Sequence, residues 1–142
     1  MRVKRLRSDA TLPTKGSREA AGLDLYACLS NSIILAPMSR VLIPCGIAME
    51  IPFRSVGMIC PRSGLARDFG LTVLNAPGII DSDYRGEIKV MIVNLGLEEC
   101  EIKYGDRVAQ LVICPIMDID IEEVDYIGTT VRGSNGFGST GR

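Results

Sequence analysis

The stretch from Leu71 to Val93, Leu-Thr-Val-Leu-Asn-Ala-Pro-Gly-Ile-Ile-Asp-Ser-Asp-Tyr-Arg-Gly-Glu-Ile-Lys-Val-Met-Ile-Val, reads as two strands folded back on each other. Between them lies a turn that carries two carboxylates and a tyrosine. Beyond the turn Ile88, Val90 and Ile92 alternate with Glu87, Lys89 and Met91, the period-2 pattern of a strand with one buried and one mixed face. The turn is thereby held from both ends. A carboxylate fixed beside the apolar pair Ile79 and Ile80 and an aromatic ring is a candidate general base, because proton transfer needs fixed geometry and an adjustable pKa. Asp81 occupies that position. The plain alternative is an Asx-type turn made by Ser82 and Asp83 in an ordinary hairpin, and the segment taken alone favours it.

Outward from this stretch the same rhythm continues. Short apolar, β-branched runs span 32–35, 40–44, 47–51, 56–59, 70–74, 87–94, 107–113 and 119–124, separated by Pro37, Gly46, Pro52, Pro61, Gly96 and Gly105. Such punctuation predicts an all-β sandwich or barrel. One short helix is expected from Ser63 to Phe69, begun near Arg62 or Ser63 and ended by Gly70 in a left-handed cap; a helix so short survives only by docking. The basic run Met1 to Arg7 reads as a polar-faced first strand in preference to a nucleic-acid arm.

Composition limits the chemistry. A chain of 142 residues with 46% hydrophobic content is the size of one domain, and a net charge of −1 supplies no long-range attraction to nucleic acid or anionic membrane. No apolar run approaches the ~18 residues of a membrane span, and the N-terminus lacks the apolar stretch of a secretory signal, so a soluble cytoplasmic protein is expected. The five cysteines, at 28, 45, 60, 100 and 114, form no Cys-x-x-Cys pair and read as small core residues in a reducing compartment. Histidine is absent, which removes Ser-His-Asp, Cys-His and His-metal mechanisms. Proton chemistry therefore falls to carboxylates.

The last stretch, Arg132-Gly-Ser-Asn-Gly-Phe-Gly-Ser-Thr-Gly-Arg142, cannot fold alone. Gly136-x-Gly138-x-x-Gly141 matches the dinucleotide-binding pattern and 133–140 nearly matches a P-loop, but both need a helix after them and the sequence stops at Arg142. Simpler physics remains: glycine backbone, hydroxyls and Arg132 can wrap a polyphosphate while Phe137 offers a π face to a base, worth on the order of 1–3 kcal/mol. A frayed terminus is the alternative. Arg62-Ser63-Gly64 forms a second candidate anion site. Arg107 and Gln110, following a turn at Gly105, and Asp24, in the run Ala20 to Leu25, could equally be an exposed strand face and a capped turn.

Those five segments in that order make the chain resemble the trimeric dUTP diphosphatases, or dUTPases. Their motifs stand here as Ala20 to Leu25, Pro61 to Gly64, Gly78 to Gly86, Gly105 to Gln110 and Arg132 to Gly141, with every position filled. The resemblance implies a jelly-roll-like β fold, a core over 1–125, and a tail over 126–142 that closes the site. It further implies a homotrimer with three interfacial active sites, and hydrolysis of dUTP to dUMP and pyrophosphate, which keeps uracil out of DNA and supplies dUMP for thymidylate synthesis. Asp81 is then the base that activates the attacking water, and Tyr84 packs beneath the deoxyribose, leaving no room for a 2′-hydroxyl. Asn75 and the backbone of Gly78, Ile79, Ile80 and Asp81 read the uracil edge. Arg62, Ser63, Gly64, Gln110 and Lys89 meet the phosphates. From the tail, Arg132, Gly138, Ser139 and Thr140 clasp the terminal phosphates as Phe137 covers the base. Asp24 and Arg107 support these groups from behind. Magnesium is expected on the triphosphate, without direct protein ligands, since Mg²⁺ favours phosphate oxygens and water. The alternatives on this fold are a dCTP deaminase-like enzyme and a non-catalytic dUTP-binding regulatory module.

Overall fold

The computed structural model of the chain describes residues 1–136. In chain order its strands are β1 (Arg2–Arg5), β2 (Thr14–Lys15), β3 (Gly22–Tyr26), β4 (Ile33–Leu35), β5 (Arg40–Pro44), β6 (Ile47–Glu50) and β7 (Ser55–Cys60). Helix α1 (Ser63–Phe69) follows, then β8 (Leu71–Val73), β9 (Gly78–Ile80), β10 (Lys89–Asn94), β11 (Cys100–Ile102) and β12 (Arg107–Pro115). They form a five-stranded sheet in the order β2-β3-β12-β7-β9, a three-stranded sheet β5-β10-β8, and the pairs β1-β6 and β4-β11. This is an all-β, jelly-roll-like fold with one short helix, as expected.

The core draws on every sheet. Leu25, Ile59 and Leu111 come from the five-stranded sheet, Ile43, Val90 and Ile92 from the three-stranded one, and Ile47 and Met49 from β6. Each such side chain contributes about 1.5–3 kcal/mol by leaving water. Helix α1, by contrast, has no buried residue, and only Leu65 packs partly against the core. It is held at its end instead. Gly70 adopts φ 67° and donates its N–H to Ala66 O, and a Cβ there would lie 2.4 Å from the Gly96 nitrogen, so glycine is required twice over. Cys28 and Cys45 are buried, and burial pushes the Cys45 thiol up to about 12, so it stays neutral and unreactive.

Two strand expectations change. The arms of the quoted stretch do pair, with Ile92 opposite Val73 and Asn94 opposite Leu71, but the chain between them is not a tight turn. It leaves that sheet to form β9, which pairs with β7, Gly78 opposite Ile59 and Ile80 opposite Gly57. Residues 119–124 form no strand. Beyond Pro115 the segment carries Asp118, Asp120, Glu122 and Glu123 and pairs with no strand among the described residues; alternating pattern without a partner ladder does not make a strand. Strands β2, β3 and β11 were not anticipated from the sequence. Among the described residues no helix is long and apolar enough to cross a membrane.

Candidate active site

The excursion from β8 through β9 to β10 presents its turn at one cavity. Tyr84 donates its N–H to Asp81 O at 3.2 Å, closing the turn. Arg85 Nη1 then donates to Ser82 O at 2.7 Å and to Tyr84 O at 2.9 Å, while Nη2 lies 3.9 Å from Glu50 Oε1 on β6. The turn is thus fixed by main-chain groups and by Arg85. The Asp81 carboxylate, exposed to solvent, is left free of that scaffolding. A cavity of about 250 Å³ brings Asp81 and Tyr84 together with Asn75, Gly78, Ile79 and Ile80, and Lys89 enters it from β10. Lys89 Nζ sits 3.5 Å from Glu87 Oε2, and Glu87 Oε1 in turn accepts the Gly46 N–H at 3.0 Å. The ammonium is therefore positioned by a carboxylate that is itself anchored.

Gly78 is buried because Asn75 lies across it: an added Cβ would meet Asn75 Nδ2 at 3.2 Å and Ile59 Cβ at 3.3 Å. Strand β9 is also the last strand of its sheet, so one edge of its backbone is left unpaired by the ladder. Unpaired amides and carbonyls beside a polar amide side chain are suited to a planar ligand with its own donor and acceptor pattern.

A second cavity of about 260 Å³ gathers Asp24, Arg62, Ser63, Gly64, Arg107 and Gln110. Register explains the gathering, since Asp24 on β3 lies opposite Gln110 on β12, which lies opposite Cys60 at the end of β7. Asp24 accepts from Arg62 Nε at 3.0 Å and from Arg107 Nη1 at 3.2 Å, and Arg62 Nη1 reaches Arg107 O at 3.1 Å. One carboxylate orients two guanidiniums. Gln110 Nε2 donates to Pro61 O at 2.9 Å, and its Oε1 occupies the space over Gly22, where a Cβ would come within 2.5 Å. Over Gly64 an added Cβ would meet nothing within 4 Å, so any need for glycine there comes from something that approaches from outside.

Asp24→Asn should therefore loosen both arginines at once. Hydrogen bonds to charged groups contribute about 1.5–3 kcal/mol, and the partial exposure of both guanidiniums reduces this to about 1–2 kcal/mol of stability. A melting curve with KM and kcat measured on the same sample checks it: the expected result is a lowered Tm with KM raised more than kcat falls.

Among the described residues the two cavities share no lining residue. Of the tail residues, Arg132 donates from Nε to Asn135 O at 3.1 Å within its own turn and is exposed. Phe137, Gly138, Ser139 and Thr140 lie outside the described residues. Sequence reasoning missed Arg85, Glu50 and Glu87, whose roles depend on which strands become neighbours. Gly22 and Gly86 stood inside recognised motifs, but nothing in the sequence said which side chains they make room for. Among the described residues no three His, Cys, Asp or Glu gather as a metal would require.

The family model for dUTPase matches residues 8–141 of the chain. A deoxyuridine 5′-triphosphate nucleotidohydrolase of Wolbachia sp. subsp. Brugia malayi (strain TRS) is 51% identical over 136 residues, covering 94% of this chain and 87% of that protein. Its counterpart in Hydrogenobaculum sp. (strain Y04AAS1) is 48% identical over 139 residues, covering 98% of this chain and 96% of that one. Among solved structures, the dUTPase of Staphylococcus bacteriophage 80alpha, a G164S mutant with dUpNHpp, superimposes with a TM-score of 0.90 at 27% identity, covering 99% of this chain and 98% of that one.

Proposed function

The chain belongs to the dUTPase family and hydrolyses dUTP to dUMP and pyrophosphate; we propose that Asp81 activates the water that attacks the α-phosphorus. The observation that carries this is the single closed turn that offers Asp81 and Tyr84 to the same cavity as Asn75 and the edge of β9. Asp81 accepts a proton from water as the water oxygen bonds to the α-phosphorus. The bond from that phosphorus to the oxygen bridging toward the β-phosphorus breaks, and pyrophosphate leaves in line. Tyr84 packs against the deoxyribose. Asn75 and the backbone of residues 78–81 pair with uracil, and substrates that would cover those polar groups without pairing them are rejected.

Arg62, Ser63, Gly64 and Gln110 receive the phosphates, with Lys89 near them, and Arg132, Phe137, Gly138, Ser139 and Thr140 close over the bound nucleotide from the tail, residues 126–142, while residues 1–125 form the core. The separation of the two cavities on one protomer supports a site shared between copies, the base from one and the phosphate donors from another. So does the exposed apolar series Ile116, Met117, Ile119 and Ile121, which a second chain would cover. We read the assembly as a homotrimer in the cytoplasm. A light-scattering mass near three times 15.4 kDa is the expected result, and a monomeric mass with full activity would refute the shared site.

Magnesium fits as a passenger of the substrate, because the second cavity presents donors to phosphate rather than a set of oxygens to a cation. Bound on the triphosphate near Arg62, Ser63 and Gln110, magnesium would supply positive charge to the phosphate oxygens. The reading as a whole is tested by pyrophosphate release with dUTP, dCTP, dTTP and UTP in parallel. Rapid release from dUTP alone is expected; comparable release from all four, or ammonia from dCTP, would overturn it.

A further inference from the structure

We infer that Gly86, which touches no substrate in the proposed mechanism, sets the preference for 2′-deoxyribose by vacating the space in which the Tyr84 ring lies. This rests on the reading of Tyr84 as the residue that excludes a 2′-hydroxyl. A Cβ built on Gly86 would stand 2.4 Å from Tyr84 Oη, 2.6 Å from Cζ and 2.9 Å from Cε2. Non-bonded heavy atoms do not approach so closely, so the ring would have to shift. The Tyr84 side chain is what would move, and moving it would break the bond that its hydroxyl donates to Glu87 O at 3.0 Å, while its backbone stays fixed by the N–H that closes the turn on Asp81 O. The ring lies in the space a Gly86 side chain would fill, and its position there sets how far it reaches into the cavity it shares with Asp81.

The backbone does not itself demand glycine at this position. Among the described residues the glycines with positive φ are Gly46, Gly70, Gly105 and Gly133; Gly86 is not one of them, so alanine is conformationally permitted there. Gly86 is also exposed, and its added methyl would have solvent on its free side. The effect of Gly86→Ala should therefore pass through Tyr84.

The test is a double-mutant cycle read as the ratio of kcat/KM for dUTP to kcat/KM for UTP, in the wild type, Gly86→Ala, Tyr84→Ala and the double variant. Gly86→Ala is expected to lower that ratio by about 10-fold or more, and in the Tyr84→Ala background the same substitution should change it by less than about 2-fold. Tyr84→Ala leaving the ratio unchanged would refute the role of the tyrosine itself. Tyr84→Ala lowering the ratio while Gly86→Ala does not, or additive effects of the two, would refute the role of Gly86. Should Gly86→Ala fail to fold, recovery of folding in the double variant supports the contact, and failure of both shows that the methyl clashes elsewhere and overturns the inference.

Discussion

Asp81→Asn is expected to lower turnover of dUTP by about 100-fold or more while leaving the affinity for a non-hydrolysable analogue within about 3-fold of wild type. The substitution keeps the shape of the side chain and removes its basicity. What makes it a clean test here is that the turn does not use the Asp81 carboxylate. Its closing bond runs to the Asp81 carbonyl oxygen, and Arg85 fastens it through the carbonyls of Ser82 and Tyr84. The amide should therefore sit where the carboxylate sat. A base that both orients and deprotonates water is worth about 10²- to 10⁴-fold, and orientation through one retained oxygen recovers part of that, which sets the lower bound. The measurement is kcat from steady-state pyrophosphate release, with analogue affinity by calorimetry. Near-normal kcat would remove Asp81 from the chemistry; loss of analogue binding alongside kcat would show that it holds substrate instead.

The placement of this turn was only partly legible in the sequence. Alternation at Ile88, Val90 and Ile92 located β10 and its buried face, and Gly70 located the end of α1, because both are local consequences of side-chain period and backbone freedom. The excursion of Gly78–Ile80 to pair with β7 was not legible, since three residues carry too little pattern to say which sheet they join. Residues 119–124 erred in the other direction: their pattern suits a strand, but a strand also needs an edge. At the site the Asp81 turn and the cluster of Arg62, Ser63, Gly64 and Gln110 stand out in the sequence, whereas the service of Asp24 to both Arg62 and Arg107 depends on the register of β3, β12 and β7. The same holds for Gly22, over which the register of β3 and β12 lays Gln110, whereas Gly86 answers to Tyr84 two residues before it in the same turn.

Deleting residues 132–142 should leave a folded protein whose kcat/KM for dUTP is lower by about 10²- to 10³-fold. Folding should survive because the last strand ends at Pro115 and residues 116–136 are exposed, contributing no side chain to the core. The melting temperature is expected to stay within about 2 °C of the intact chain. The activity loss follows from what the tail would supply. Stacking of one aromatic ring on a base is worth about 1–3 kcal/mol, and a charge-assisted hydrogen bond from Arg132 to phosphate about 1.5–3 kcal/mol. The two are not additive, because ordering a glycine-rich segment costs about 1–2 kcal/mol per fixed residue and consumes much of the gain. A loss of 10²- to 10³-fold corresponds to about 2.7–4.1 kcal/mol, the net transition-state stabilisation the tail must supply after that cost. The loss should also depend on the ligand: if Arg132, Ser139 and Thr140 grip the terminal phosphates, the truncated chain should bind dUMP nearly as well as the intact one while binding the triphosphate analogue far less well. Calorimetry with both ligands separates the cases. A truncated chain that turns over dUTP at the full rate would show that the cavity around Asp81 and the donors around Arg62 suffice without a cover, and equal losses for dUMP and the triphosphate analogue would place the tail on the base rather than the phosphates.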